Sequence, residues 1–255
     1  MIDIVSGHAA IDRFLAGGYE SVRGMSSRFA AAVCGHTIRR QTELGIGGDM
    51  VEVGTFEGRF FIAMALGLAP GEIAVGIDLF DWPNERVLDR FLAHCAAHGI
   101  PRDRFVAWKQ RSTAIAPAEL RAKLPSGTAR FIHVDGEHDV DCLASDLELA
   151  HAVLHPKGLI VLDDMLHPGY PDLVLPVFDY LDRHPDMVVM CILDREDISA
   201  AAKFMICRGD AAALYERDLM TTFARFHFTP GAHIRGHFTL VLTPQLREVE
   251  VGWDT

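Results

Sequence analysis

Val51-Glu52-Val53-Gly54-Thr55-Phe56-Glu57-Gly58 is the stretch on which the fold turns. The apolar run at residues 50–53 reads as a buried strand. It passes straight into a two-glycine turn, and the apolar run after that predicts a helix over residues 60–68. Gly54 allows the backbone to turn tightly and leaves room for a ligand beside it, while Gly58 permits a close helix contact. The amides of the helix's first turn can meet the polar or anionic end of a ligand.

Outward from this unit, strands and helices alternate. Residues 73–77, 105–108, 131–134 and 159–162 are short, apolar and bounded by turn residues, as buried parallel strands are. Helices are expected at 84–98, at 115–124 (broken by Pro117), at 140–154 and at 173–181. The pattern predicts an α/β fold, a Rossmann-like doubly wound and mostly parallel sheet with helices on both faces. The end differs: strands at 187–193 and 203–207, a helix at 211–223 and strand-like segments at 233–242 predict an antiparallel carboxyl-terminal edge. At the start, residues 9–15 and 26–44 read as helices. Phe29, Val33 and Thr37 share one side of the second, and Ala30, Cys34 and Ile38 widen the stripe. Residues 1–48 are thus an amino-terminal helical segment packed on the core, and 49–255 a single domain with a strand extension.

The 255 residues suffice for one substantial domain. With 24 basic and 35 acidic residues the net charge is -11, which disfavours nucleic acid and anionic membrane as partners. The five cysteines form no CxxC or zinc-knuckle pattern, so a reducing cytoplasmic setting is the expectation. No secretory signal opens the chain, and the apolar stretch 60–70 is too short to span a bilayer.

Asp78 closes the second strand in Gly76-Ile77-Asp78-Leu79-Phe80. An acid there faces the same crevice as the glycine turn and can accept hydrogen bonds from both hydroxyls of a ribose, with Leu79 against the base. Glu52 is placed to meet an ammonium group or an ordered water. Nicotinamide-binding turns usually carry GxGxxG, but this one has only Gly54 and Gly58, and Phe56 would crowd a pyrophosphate. A smaller, phosphate-free nucleoside is favoured over a dinucleotide. In these residues the chain resembles the class I S-adenosylmethionine-dependent methyltransferases, whose first motif places an acid on the strand before GxxxG. The resemblance covers roughly residues 49–207. It implies cofactor contacts from Glu52, Gly54, Thr55, Gly58, Asp78, Leu79, Ser112 and Asp135, with Glu52 or its surroundings at the methionine portion.

Two further strand ends concentrate acids: Asp135-Gly136-Glu137-His138 and Asp163-Asp164. Carboxylates gathered in one partly buried place raise one another's pKa, and a divalent cation relieves the repulsion. An all-oxygen set of Asp135, Asp163 and Asp164 suits magnesium, manganese or calcium. Such an ion would lower the pKa of a substrate hydroxyl and direct it at the methyl group. His138 can act as general base near neutral pH, or neighbour the helix that starts by Asp139. His133, on the strand itself, is expected to pack or hydrogen-bond in the core. This second pattern is similar to the metal-assisted O-methyltransferases of macrolide-sugar tailoring and their cephalosporin-pathway relatives. That similarity implies magnesium on Asp135, Asp163 and Asp164, His138 as base, and a hydroxylated small molecule, such as a glycosylated natural product, as substrate. Metal-independent N- or O-methylation and a nicotinamide oxidoreductase are the alternatives. The opening helices and the last strands can close an active site or join a homo-oligomer.

Overall fold

The structure is a computed structural model and describes residues 3–245. The strands are β1 (Asp49–Val53), β2 (Ala74–Asp78), β3 (Phe105–Lys109), β4 (Ala129–Val134), β5 (Leu154–Met165), β6 (Met187–Leu193), β7 (Ala202–Arg208), β8 (Ala232–Ile234) and β9 (His237–Leu242). They form one sheet in the order β3-β2-β1-β4-β5-β7-β6-β9-β8. β1 to β5 pair in parallel, while β7 runs antiparallel to both β5 and β6. The fold is therefore the expected Rossmann-like one, with an antiparallel carboxyl-terminal edge. At its far end β9 returns parallel to β6 and carries β8 as a hairpin. Residues 246–255 of the expected domain lie outside the described residues.

The helices are α1 (Ala9–Gly17), α2 (Arg28–Glu43), α3 (Arg59–Ala65), α4 (Val87–Ala97), α5 (Pro117–Lys123), α6 (Val140–Val153), α7 (Val174–Arg183) and α8 (Gly209–Thr222). Two apolar clusters cover the two faces of the sheet. One is built largely from α1, α2, α3 and α8, the other from α5, α6 and α7. Residues Ala30 to Ile38 of α2 are buried throughout, which places the amino-terminal segment within the first cluster. At the amino-terminal end of the strands, fully buried Arg130 joins this segment to the sheet. Its guanidinium bonds Glu72 at 2.7 Å, the Ile38 carbonyl at 3.0 Å and Gln41 at 3.2 Å. A buried charge is tolerated because its donors are satisfied in this way.

Two local expectations change. Pro117 begins α5 instead of breaking it: its missing N–H is no loss in a first helical turn, and Glu119 accepts from the Ala116 amide at 2.8 Å. β5 is also longer than the apolar run at 159–162, because Leu154 already pairs with Ala129 and the strand continues through both acids to Met165.

Candidate active site

The carboxyl ends of β1, β2, β4 and β5 open into a cleft of about 730 Å³, lined among others by Gly54, Asp78, Leu79, Ser112, Asp135 and His138. Asp163 and Asp164 also face it, as do Met25 from the segment between α1 and α2, Trp82 and Tyr170. That volume falls in the range of small-molecule sites.

The turn after β1 is built around close approach. Gly54 has φ +82°, and a Cβ placed on it would lie 1.7 Å from the Asp135 carbonyl oxygen. The space on its Cβ side is filled by the backbone that follows β4, while Gly54 itself lines the cleft. Strand pairing continues across it, with the Asp135 amide donating to the Val53 carbonyl at 2.8 Å. Gly58 has φ +95° and sits against Phe91, outside the cleft lining. Thr55 is buried against Gly76 and is also not part of the wall.

Asp78 reaches the cleft with its carboxylate already oriented. One oxygen accepts from the Phe56 amide at 2.8 Å and the other from the Phe80 amide at 2.6 Å. Both donors belong to residues in the left-handed region, at φ 48° and 51°. Each carboxylate oxygen retains a second lone pair for a ligand hydroxyl. Phe56 is half-buried beneath the exposed Trp82, with ring centroids 5.5 Å apart. Ser112 also lines the cleft, and its hydroxyl bonds Asp146, an acid of α6 that the sequence reading did not single out. Burial pushes the Asp146 carboxyl up to about 6, with Ser112 opposing the rise.

Glu52, expected beside the cofactor, lies beneath the cleft instead, 1 % exposed. Lys203 Nζ is 3.1 Å from His133 Nε2, and an ammonium can only donate, so Nε2 accepts. His133 Nδ1 therefore carries the proton and donates to Glu52 Oε1 at 2.8 Å. His133 thus hydrogen-bonds within the core as expected. Glu52 Oε2 is buried without a partner. Burial drives the Glu52 carboxyl well above its ordinary range and His133 well below its own.

His138 is freed from helix capping because the Asp139 side chain caps α6, accepting from the amides of Asp141 and Cys142 at 3.0 and 3.1 Å. His138 Nε2 instead meets Asp164 Oδ2 at 2.7 Å, and the Tyr170 ring lies 4.1 Å away. The hydrogen bond to Asp164 holds the His138 pKa above its ordinary value, against the opposing effect of burial. Burial would raise Asp164, but the same bond and the imidazolium charge leave it lowered.

The three acids expected to share a metal do not converge as one set. Asp135 groups with His133 and Asp163 on one side and with His138 and Asp164 on the other, each set having ligand atoms within 4.8 Å. Asp163 is ion-paired with Lys203, a residue the sequence reading missed. Its signal was present: one lysine inside the apolar strand Ala202-Lys203-Phe204-Met205-Ile206.

Residues 51–165 match the family model described as a methyltransferase domain. Solved structures with the same fold include an O-methyltransferase from Bacillus cereus in complex with S-adenosylhomocysteine. It is 14% identical, with TM-score 0.52, and the match covers 78% of this chain and 90% of that one. Another is TomG from Streptomyces achromogenes, described as involved in tomaymycin synthesis and bound to S-adenosylmethionine (15% identical, TM-score 0.53, 78% and 89% covered). A third is CalS11, a TDP-rhamnose 3'-O-methyltransferase of calicheamicin biosynthesis (17% identical, TM-score 0.53, 77% and 86% covered). No curated protein matches the sequence. Sheet order and these matches agree on a Rossmann-like fold, and residues 51–165, which include the glycine turn, carry the similarity to a methyltransferase domain.

Proposed function

We propose that the chain transfers a methyl group from S-adenosylmethionine to a hydroxyl of a small molecule, a glycosylated or other secondary metabolite, with His138 as general base. One observation carries this reading: the His138–Asp164 pair shares a single cleft with Asp78 and Leu79. The similar structures described as a TDP-rhamnose 3'-O-methyltransferase and an O-methyltransferase of tomaymycin synthesis favour oxygen as the acceptor atom. The residues fit the cofactor. Asp78 offers oriented lone pairs to a ribose, Leu79 an apolar contact, and Ser112 and Asp135 polar contacts along the same wall. When bound, the cofactor supplies an electrophilic methyl carbon on a sulfonium.

The chain's own part is to bind, orient and deprotonate. With Nε2 donating to Asp164, Nδ1 is the His138 nitrogen with a free lone pair for the hydroxyl proton. Asp164 then stabilises the imidazolium. Tyr170, packed on His138, restricts its ring. Met25 and Trp82, on the cleft wall, narrow access of bulk water to the reacting oxygen. We take residues 1–48 as a helical cover on the domain that begins at 49.

A divalent cation, magnesium first, fits the cleft through Asp135 and Asp164, whose oxygens lie with the His138 nitrogen in one grouping. It would polarise the acceptor hydroxyl beside the base. The test is turnover after thorough chelation and on adding back Mg2+. Full activity in chelator favours the metal-independent N- or O-methylation alternative. Asp164→Ala is expected to depress Mg2+-dependent turnover more than cofactor affinity, and an unchanged Mg2+ response would remove Asp164 from the ligand set.

Asp78→Ala is expected to weaken S-adenosylhomocysteine binding roughly 10–100-fold, the loss of about 1.5–3 kcal/mol for hydrogen bonds to a charged acceptor. Titration calorimetry measures it, and an unaltered affinity would contradict the ribose role.

A further inference from the structure

β5 and β7 pair in regular antiparallel register up to Leu162↔Phe204, and the next pair is Met165↔Ala202. Between those pairs two residues, Asp163 and Asp164, stand opposite one, Lys203. This is a β-bulge, a device that re-aims side chains beside active sites. Asp164 absorbs the extra residue in the left-handed region, at φ 57°. Lys203 is the only buried lysine among the described residues, 1 % exposed. Its ammonium pairs with Asp163, stands 3.1 Å from His133 Nε2, and lies 5.1 Å from the centroid of the Phe60 ring, itself stacked on His133 at 4.0 Å. Through His133 the chain of contacts reaches Glu52 on β1. One lysine on β7, between β5 and β6, thus spans the floor of the cleft.

We propose that Lys203 is a positioning residue, a cation built into the bulge that keeps Asp163 as its own counter-ion. Asp135 and Asp164 are left to meet ligands in the cleft. A buried ammonium without its carboxylate is costly, and so is the reverse, so each partner fixes the other. At Asp163 the protein itself supplies the positive charge that clustered acids call for. The inference uses the proposed cation reading for its readout and does not depend on methyl transfer.

The test is Mg2+ and Mn2+ binding by calorimetry to the full chain, with thermal melting alongside. In Lys203→Met, Asp163 loses its counter-ion and becomes a third carboxylate for a cation. Mg2+ affinity is expected to rise at least tenfold over wild type, and added Mg2+ to raise Tm more in the variant. Lys203→Arg, which keeps the charge, should show little of the gain. Lys203→Met combined with Asp163→Asn should abolish it. A folded Lys203→Met protein with unchanged or weaker Mg2+ binding overturns the proposal. Should Lys203→Met not fold, Asp163→Asn alone decides. Mg2+ affinity within about twofold of wild type upholds the assignment, and a tenfold loss overturns it. Wild-type protein that binds no Mg2+ counts against the cation-assisted reading only, since the gain in Lys203→Met is judged separately.

Discussion

His138→Ala is expected to lower kcat by about 10²–10⁴-fold while leaving S-adenosylhomocysteine affinity nearly unchanged. The imidazole and Asp78, proposed respectively as base and ribose contact, stand at different strand ends of the cleft. Single-turnover kinetics with saturating cofactor, beside calorimetry, separates the two effects. A kcat within a few-fold of wild type would remove His138 from the chemistry. The pH dependence gives a second check. A base must be unprotonated to act, and the Asp164 bond holds the His138 pKa above 6.5. The acid limb of kcat/KM should therefore lie on the alkaline side of an ordinary histidine, and Asp164→Asn should move it back toward lower pH. For stability, the raised His138 contributes fully below its unfolded value of 6.5, and that contribution is lost as pH rises through the folded one. Asp164, lowered, contributes above 3.8 and loses this as pH falls through its folded value. The pair is strongest between those limits.

Gly54→Ala is expected to be the most damaging single-methyl change in the fold. The new Cβ would sit 1.7 Å from the Asp135 carbonyl oxygen, at a residue with φ +82°. That atom is backbone, held by the ladder between β1 and β4, and cannot swing aside. Left-handed strain of about 1–2 kcal/mol adds to about 1–3 kcal/mol for overpacking. Urea denaturation should show a loss of about 2–5 kcal/mol, together with loss of cofactor binding as Asp135 and the turn separate. Wild-type stability in Gly54→Ala would mean that the two strand ends are not in contact as described.

Both glycines of the turn are needed for a steric reason. A glycine before a helix announces a tight turn, but what fills the missing Cβ's place belongs to a distant part of the chain. At Gly54 it is the backbone of Asp135, 81 residues on, and at Gly58 the ring of Phe91. Glu52 shows the same limit. The end of β1 can be read from its apolar run, yet only the stacking of His133 and Phe60 over it decides that the acid is enclosed.

By itself the sequence determined the alternation of strands and helices, because each buried parallel strand must be a continuous apolar run closed by turn residues. It also determined that Asp78, Asp135, His138 and the Asp163-Asp164 pair stand at strand ends on one edge of the sheet, since every parallel strand delivers its carboxyl end to the same side. Tertiary structure alone decided how those groups pair. The antiparallel entry of β7 and its bulge against β5 set Lys203 on Asp163 and turn Asp164 toward His138. Such pairings depend on register between strands distant along the chain, and a one-residue slip would reverse them.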